Sequence, residues 1–480
     1  MATKQDIERG KVNLAEPFIE REKETEVKSS SDNGDLGMVF LSTFVAVCGS
    51  FEFGSCMGYS SPAQFGIMED LNLSISKYSV FGSIVTIGAM IGAITSGRIA
   101  DFAGRKGNMR MSSIVCIVGW FAIYIASSEL LLDFGRFLTG FGIGNLSYVV
   151  PVYIAEITPK NLRGALATTN QLFITVGIAV AYLIGAFVSW RTLALTGIVP
   201  SLVMLIGLFF IPESPRWLAM VGRQKEFEAE LRALRGGGAD ISQEQTEIQV
   251  LALPPRFHRI LRQIPEVKIL DLFNRRNIRY VTIGVGLMVF QQFIGINGII
   301  YYAGQIFVSA GVSPNVGGIL YSSLQVVLTA FGASLMDKVG RKLLFLISVS
   351  GILLGNLLTG ISFILKEHHL ALDIAPTVAV VGVMVYIGSF SVGAGPVPWV
   401  IMSEIFPINV KGTAGSLVTL VNWFGSWAVS YSFFYLFTWS SWGVFFLYAF
   451  VCVMAILFTI VLVPETKGRT LEEIQASIDN

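Results

Sequence analysis

Apolar residues fill most of this chain in blocks long enough to cross a bilayer, separated by short polar punctuation. A span needs roughly 20 mostly apolar residues. Twelve blocks approach that length, at 36–58, 79–98, 111–127, 131–155, 165–189, 192–212, 278–303, 316–336, 343–365, 376–405, 412–437 and 441–463. Backbone groups in hydrocarbon must be satisfied within the segment, so the blocks read as helices and not as strands. The third and fourth are the least clearly separated, with only 127–133 between them. The pattern predicts an all-α membrane protein with twelve transmembrane helices.

Two polar stretches interrupt the apolar blocks. Residues 1–35 carry charge and serine with little to bury, and read as a disordered cytosolic tail. Residues 213–277 mix charges in runs such as RQKEFEAELRALR, and read as a cytosolic helical linker. That linker divides the spans into six within 36–212 and six within 278–464, with a cytosolic tail at 465–480.

Three phrases recur in the same order across the divide. DFAGRK at Asp101 returns as DKVGRK at Asp337, EITPKNLRG at Glu156 as EIFPINVKG at Glu404, and PESPR at Pro212 as PETKGR at Pro464, at spacings of 236, 248 and 252 residues. A duplication accounts for this order. With an even number of spans per copy, both copies enter the membrane in the same sense, giving two six-helix parallel-repeat bundles with any substrate held between them near the midplane.

Composition agrees with a polytopic chain: of 480 residues, 53% are hydrophobic and 14% charged. The net charge of +1 carries no electrostatic footprint for a nucleic-acid partner. Loops on the amino-terminal side carry Arg98, Arg105, Lys106, Arg110, Lys160, Arg163, Lys338, Arg341, Lys342 and Lys411, against Lys77, Arg191 and Lys366 opposite. By the positive-inside rule both termini are cytosolic.

The first 35 residues are too polar for a cleavable signal, so the first span is expected to direct insertion. Asn72 and Asn145 each begin a glycosylation triplet, the second inside a span. LAEPFI at 14–19 resembles a leucine-based vacuolar sorting signal, which leaves the vacuolar and the plasma membrane both open.

Cys48, Cys56, Cys116 and Cys452 all fall in predicted spans, without metal or disulfide spacing. His258, His368 and His369 lie in polar loops, and Gly236 to Gly238 lack the lysine of a phosphate loop. No metal, cofactor or enzyme activity is expected.

The repeated phrases, with GRFLTGFGIG at 135–144, PESPRWL, QQFIGIN, GPVPW at 395–399 and PETKGRTLEEI, resemble the sugar porters of the major facilitator superfamily from about residue 36 to 474. The phrasing is most similar to the plant early-dehydration-response-type monosaccharide transporters. The resemblance implies the major facilitator fold and a carrier that moves hexoses such as glucose or fructose by alternating access, either facilitative or proton-coupled. Its partners would be a monosaccharide, the bilayer and, if coupled, protons. Two alternatives stand beside it: a sugar receptor that binds without transporting, and a carrier of another small neutral solute such as a polyol.

QQFIGIN places Gln291, Gln292 and Asn297 inside an apolar span. At about 100° per residue they point roughly 0°, 100° and 240° around a straight helix, so converging on one ligand requires a break. Gly295 and Gly298 are expected to supply it. A hexose both donates and accepts hydrogen bonds, as amides do, whereas a carboxylate only accepts. The bland alternative is that the amides join helices to one another.

From the resemblance, Gln171 is the sugar-contacting glutamine of the first half, Trp399 stacks under the ring, and Asn422 adds a polar contact. Gln325 stands where the family has asparagine. Tyr301 and Tyr302 resemble a lid on the side away from the cytosol, with interfacial anchoring as the alternative. Pro396 and Pro398 break the tenth span and free backbone carbonyls at an intracellular gate.

Arg105, Glu156, Arg163 and Arg216 in the first half, and Arg341, Glu404, Lys411 and Glu465 in the second, lie near the cytosolic ends of spans. In the family such groups latch the bundles by ion pairs; some of the basic ones also serve as topology signals. Exposed pairs contribute roughly 0 to 1 kcal/mol each, which suits a latch that opens every cycle.

Arg136, in the fourth span, costs about 2.5 to 3.5 kcal/mol to insert at mid-helix and calls for a partner. Proton-coupled relatives carry an aspartate where this chain has Cys56. Glu52 lies one turn earlier on the same helix face, so it is the candidate to pair with Arg136 and exchange a proton, or else to serve as a permanent counter-ion.

Overall fold

The computed structural model describes residues 36–159, 162–236, 241–251, 274, 277–406 and 411–467. The tail at 1–35, with LAEPFI, and His258 fall outside the described residues. Described secondary structure is helical, without strands. The first half runs α1 (Gly37–Asp70), α2 (Ile75–Tyr124), α3 (Glu129–Ile157), α4 (Arg163–Gly185) and α5 (Trp190–Gly207). Short helices α6 (Pro215–Met220), α7 (Gln224–Arg235) and α8 (Ser242–Leu251) follow. The second half runs α9 (Ile278–Phe293), α10 (Ile296–Ala310), α11 (Pro314–Val339), α12 (Arg341–Glu367), α13 (Ala375–Ser389), α14 (Val397–Ile405), α15 (Lys411–Trp439) and α16 (Gly443–Leu462).

Ten helical stretches among the described residues are long and apolar enough to cross a membrane. One of them, α2, has 50 residues and holds both the second and the third expected spans, broken at Gly104 (φ 82°, ψ 172°). Lys411–Trp439, the eleventh expected span, is not among the ten but is a helix of 29 residues. The third and fourth spans part at 125–128, after Tyr124.

Two expected spans are each divided. The seventh breaks at Gly295, whose left-handed backbone (φ 101°, ψ 11°) separates α9 from α10. Gly298 is not part of that break: it lies inside α10, where an added Cβ would come within 2.4 Å of the Phe433 ring. The tenth is divided by a π-turn at Phe390–Ala394 ahead of Pro396.

Polar caps and small residues set the helix ends and crossings. Ser74, Ser189 and Ser214 each accept the backbone N–H three residues on, opening α2, α5 and α6. Gly88 and Gly92 of α2 face Phe137 and Phe141 of α3, while Gly140 and Gly144 of α3 face Val85 and Ala89 of α2, with backbone so near that a Cβ would lie 2.2 to 2.3 Å away. Membrane helices lack a hydrophobic drive to associate, so this close backbone approach supplies the packing instead.

The halves meet through α1 with α10, α2 with α15, and α4 with α11. Four of the five described hydrogen bonds between halves lie toward the end that holds the loop at 71–74. Ser61 Oγ accepts Gly304 N–H at 2.8 Å, Tyr182 Oη donates to Ile300 O at 2.6 Å, Asn315 Nδ2 donates to Ala186 O at 3.1 Å, and Ser76 meets Tyr435 at 2.8 Å. A fifth, from Tyr301 Oη to Met57 Sδ at 3.0 Å, lies nearer the middle. None of these bonds among the described residues joins the halves at the opposite end, where both GRK phrases sit.

Candidate functional site

The break at Gly295 brings together groups that a straight helix would scatter. Asn297 Nδ2 donates to Gln292 Oε1, and Gln292 Nε2 donates to Asn422 Oδ1 at 2.6 Å. This relay joins α9, α10 and α15, leaving an acceptor on Asn297 and a donor on Asn422 outside its bonds. Gln291 turns elsewhere: its Nε2 donates to Ala394 O at 2.8 Å and Gly395 O at 2.7 Å, carbonyls at the divide between α13 and α14. Gln325 is buried, and its Oε1 has no hydrogen-bond partner.

Trp399 on α14 is 37% exposed, while Trp423, next to Asn422, is buried with its ring 6.0 Å from that of Phe53, across the halves. Gln171 is partly exposed on α4, and its neighbour Asn170 accepts a hydrogen bond from Ser50 Oγ at 2.7 Å. Ser50 and Asn170 gave no signal in the sequence, because their pairing spans 120 residues and neither belongs to a repeated phrase.

Tyr301 and Tyr302 are wholly buried at the seam between halves, so neither ring anchors at a lipid interface. Tyr302 stacks on Phe433 with centroids 5.4 Å apart and meets Tyr78 edge-on at 6.4 Å. Pro396 and Pro398 stand where expected. Pro398 has no N–H for the carbonyl four residues earlier, Ala394, which is one of the two that Gln291 takes.

Arg136 and Glu52 are both fully buried, but the structure does not pair them. Arg136 donates to Cys56 O at 2.9 Å, Cys56 Sγ at 3.3 Å and Ser60 Oγ at 2.6 Å, and lies over the rings of Phe81 and Tyr59. Glu52 Oε1 accepts from Trp120 Nε1 at 2.6 Å, and Oε2 has no partner. Trp120 gave no sequence signal, being an aromatic residue 68 positions away in an apolar span.

At the opposite end the charged groups form pairs within each half. Arg105 grips Glu156 through two nitrogens at 2.8 Å each, and Ser214 Oγ donates to the same carboxylate at 2.6 Å. Arg341 reaches Glu404 at 3.2 Å. Glu465 accepts the backbone N–H groups of Arg341, Lys342, Thr466 and Lys467. Its burial opposes ionisation, but those four donors outweigh it and hold its carboxyl below the usual range. Glu213, its counterpart, accepts from Lys106 and Ser214 N–H, and there burial prevails and pushes the carboxyl up. Arg216 is partly buried, its Nε without a hydrogen-bond partner. The side chains of Arg163 and Lys411 lie outside the described ones.

The profile of a family described as "Sugar (and other) transporter" matches residues 17–477. The chain is similar to sugar transporter ERD6-like 8 of Arabidopsis thaliana, 59% identical over 477 residues that cover 99% of each chain. It is also similar to sugar transporter ERD6-like 16 of the same plant, 56% identical with 98% of each covered. Among solved structures, the inward-open xylose transporter XylE from E. coli matches with a TM-score of 0.76 and 27% identity, over 92% of this chain and 99% of that one. The proton:xylose symporter XylE of the major facilitator superfamily, bound to 6-bromo-6-deoxy-D-glucose, matches with a TM-score of 0.73 at the same identity and coverage.

Proposed function

Because this chain belongs to the sugar transporter family and has the major facilitator fold, we propose that it is a membrane carrier for monosaccharides, hexoses such as glucose or fructose, working by alternating access in a vacuolar or plasma membrane. The observation that carries this reading is the relay of Asn297, Gln292 and Asn422 at the Gly295 break. It offers uncharged donors and acceptors on the second half, and in this reading Gln171 of the first half and Trp399 add an amide and an aromatic face to the same neutral site. Millimolar affinity is only about 4 kcal/mol, within reach of a few net hydrogen bonds and one stacked ring.

With both termini cytosolic, the seam bonded through Ser61, Tyr182, Asn315 and Tyr435 is the side away from the cytosol. The conformation is then closed outward, with Tyr301 and Tyr302 as the lid and the described ion pairs at the cytosolic end made within each half. The likeness to the inward-open xylose transporter accords with that assignment.

Proton coupling is the second reading, favoured by Glu52: a buried carboxyl with a tryptophan donor but no ion pair among the described residues. Uptake of labelled glucose and fructose into liposomes holding the purified protein, with and without a pH gradient, tests both. Saturable, competed uptake is expected, and its absence for every hexose offered would overturn the carrier reading.

A further inference from the structure

The duplicated charge clusters differ between the halves at one hydrogen bond. In the first half, Ser214 Oγ donates to Glu156 Oε2, completing a carboxylate that Arg105 already holds with two nitrogens. The second half has the same parts at the spacing of the repeat: Arg341 for Arg105, Glu404 for Glu156, Glu465 for Glu213 and Thr466 for Ser214. Anchoring of the two end segments is also alike, since Glu213 and Glu465 both accept backbone N–H groups from the GRK turn.

Yet Glu404 Oε2 and Thr466 Oγ1 are both shielded from solvent without a hydrogen-bond partner. Each is the counterpart of an atom that is bonded to the other's counterpart in the first half. Orphaned buried polar atoms are uncommon because each forfeits a bond it would otherwise make.

The supports of the two carboxylates differ. Glu156 ends α3, which is continuous over 29 residues. Glu404 rides on α14, only nine residues long and severed from α13 by the π-turn and Pro396. Thr466, by contrast, is fixed through Glu465 to the start of α12. The missing bond therefore lies between a hinged piece and an anchored one.

We propose that Thr466 is a positioning residue of the transport cycle: its hydroxyl donates to Glu404 Oε2 when the halves close at the charged end, and the bond is broken in the conformation described here. This rests on the alternating-access reading. Making the bond draws α14 toward the anchored segment and favours the state open on the other side. The first half, whose equivalent bond is already made, serves as the fixed partner.

The test reads conformation without sugar. Ser61 is 2% exposed at the closed seam, so in a Ser61→Cys background the rate of labelling by an impermeant thiol reagent follows the fraction of protein open there. The lower end of the range for a hydrogen bond to a charged group corresponds to about a tenfold shift in population. Thr466→Val is therefore expected to slow labelling about tenfold, and Thr466→Ser to restore the parental rate. Melting temperature separates this from a structural role: Thr466→Val loses no bond made in this conformation, so it leaves the midpoint unlowered, while Ser214→Ala lowers it. Parental labelling in Thr466→Val, or a slow rate that Thr466→Ser does not restore, overturns the proposal. A protein that labels as expected yet moves no hexose would instead sink the carrier reading.

Discussion

The side-chain amide of Gln291 spans the divide of the tenth transmembrane segment, donating from one nitrogen to the carbonyls of Ala394 and Gly395 at 2.8 and 2.7 Å. Ala394 is four residues before Pro398, so its carbonyl lacks the donor an α-helix would supply there, and Gln291 provides one. Gln291→Ala is expected to abolish saturable hexose uptake and to destabilise the protein by about 1 to 3 kcal/mol, the cost of an unsatisfied buried acceptor. Gln291→Glu should be worse, since an ionised carboxylate only accepts. Trp399→Ala should abolish uptake while leaving the melting temperature near that of the parent, because the ring is 37% exposed. Parental uptake in both Gln291→Ala and Trp399→Ala would contradict the proposed pocket.

Much of this was legible in the chain, in pieces. Apolar length predicted helices, and the repeated phrases predicted a duplication. Prolines promised free carbonyls and QQFIGIN promised amides in need of partners. That Gln291 is the partner of those carbonyls was not legible, because the pairing joins residues 103 apart and sequence spacing is silent about tertiary contacts. Gly295 and Gly298 looked equivalent; only packing against Phe433 distinguishes the tight contact from the turn. For Glu52, helix periodicity set its place one turn from Cys56, but the carboxyl turns to Trp120 rather than to Arg136, a choice made by a neighbouring helix.

Gly104 and Gly340 occupy matching places in the two GRK turns, at φ 82° and 97° with extended ψ. That backbone region is nearly closed to other residues and costs about 1 to 3 kcal/mol to hold. A Cβ would also fall 2.5 Å from Glu213 Oε2 in the first turn and 2.8 Å from Glu465 Oε2 in the second. Gly104→Ala and Gly340→Ala should each lower the melting temperature and impair transport. A parental midpoint in either variant would show that the turn relaxes at no cost.

The opposite shifts of Glu213 and Glu465 give opposite pH dependences. Glu465 has its carboxyl lowered, so its stabilisation is present above the ordinary glutamate value of about 4.3 and is lost as pH falls through the lowered one. Glu213 has its carboxyl raised, so its stabilisation is present below that ordinary value and is lost as pH rises through the raised one. Glu465→Gln should melt lower than the parent near neutrality, with the gap narrowing in acid. Glu213→Gln should lose least near neutrality and compare worse with the parent as pH falls. Melting curves of detergent-solubilised protein across that range check both, and gaps that move in the same direction would refute the assignment.

Glu52 decides between passive and coupled transport. Its carboxyl is fully buried, one oxygen held by Trp120 at 2.6 Å and the other without a partner, while Arg136 donates instead to Cys56 and Ser60, its Nε left without a partner. An intramembrane carboxyl without a cation is costly to keep ionised, and such groups commonly mark proton pathways. An amide in its place would still accept the indole N–H but could not exchange a proton, so Glu52→Gln should fold as the parent does. If transport is coupled through this group, the variant loses sugar-evoked proton flux and accumulation against a gradient, yet keeps sugar exchange. Trp120→Phe, which removes the donor, should move the pH profile of uptake without removing the flux. Proton flux that persists in Glu52→Gln would show that Glu52 is not the coupling group, and parental transport with no flux in either protein would assign it a structural role beside Trp120.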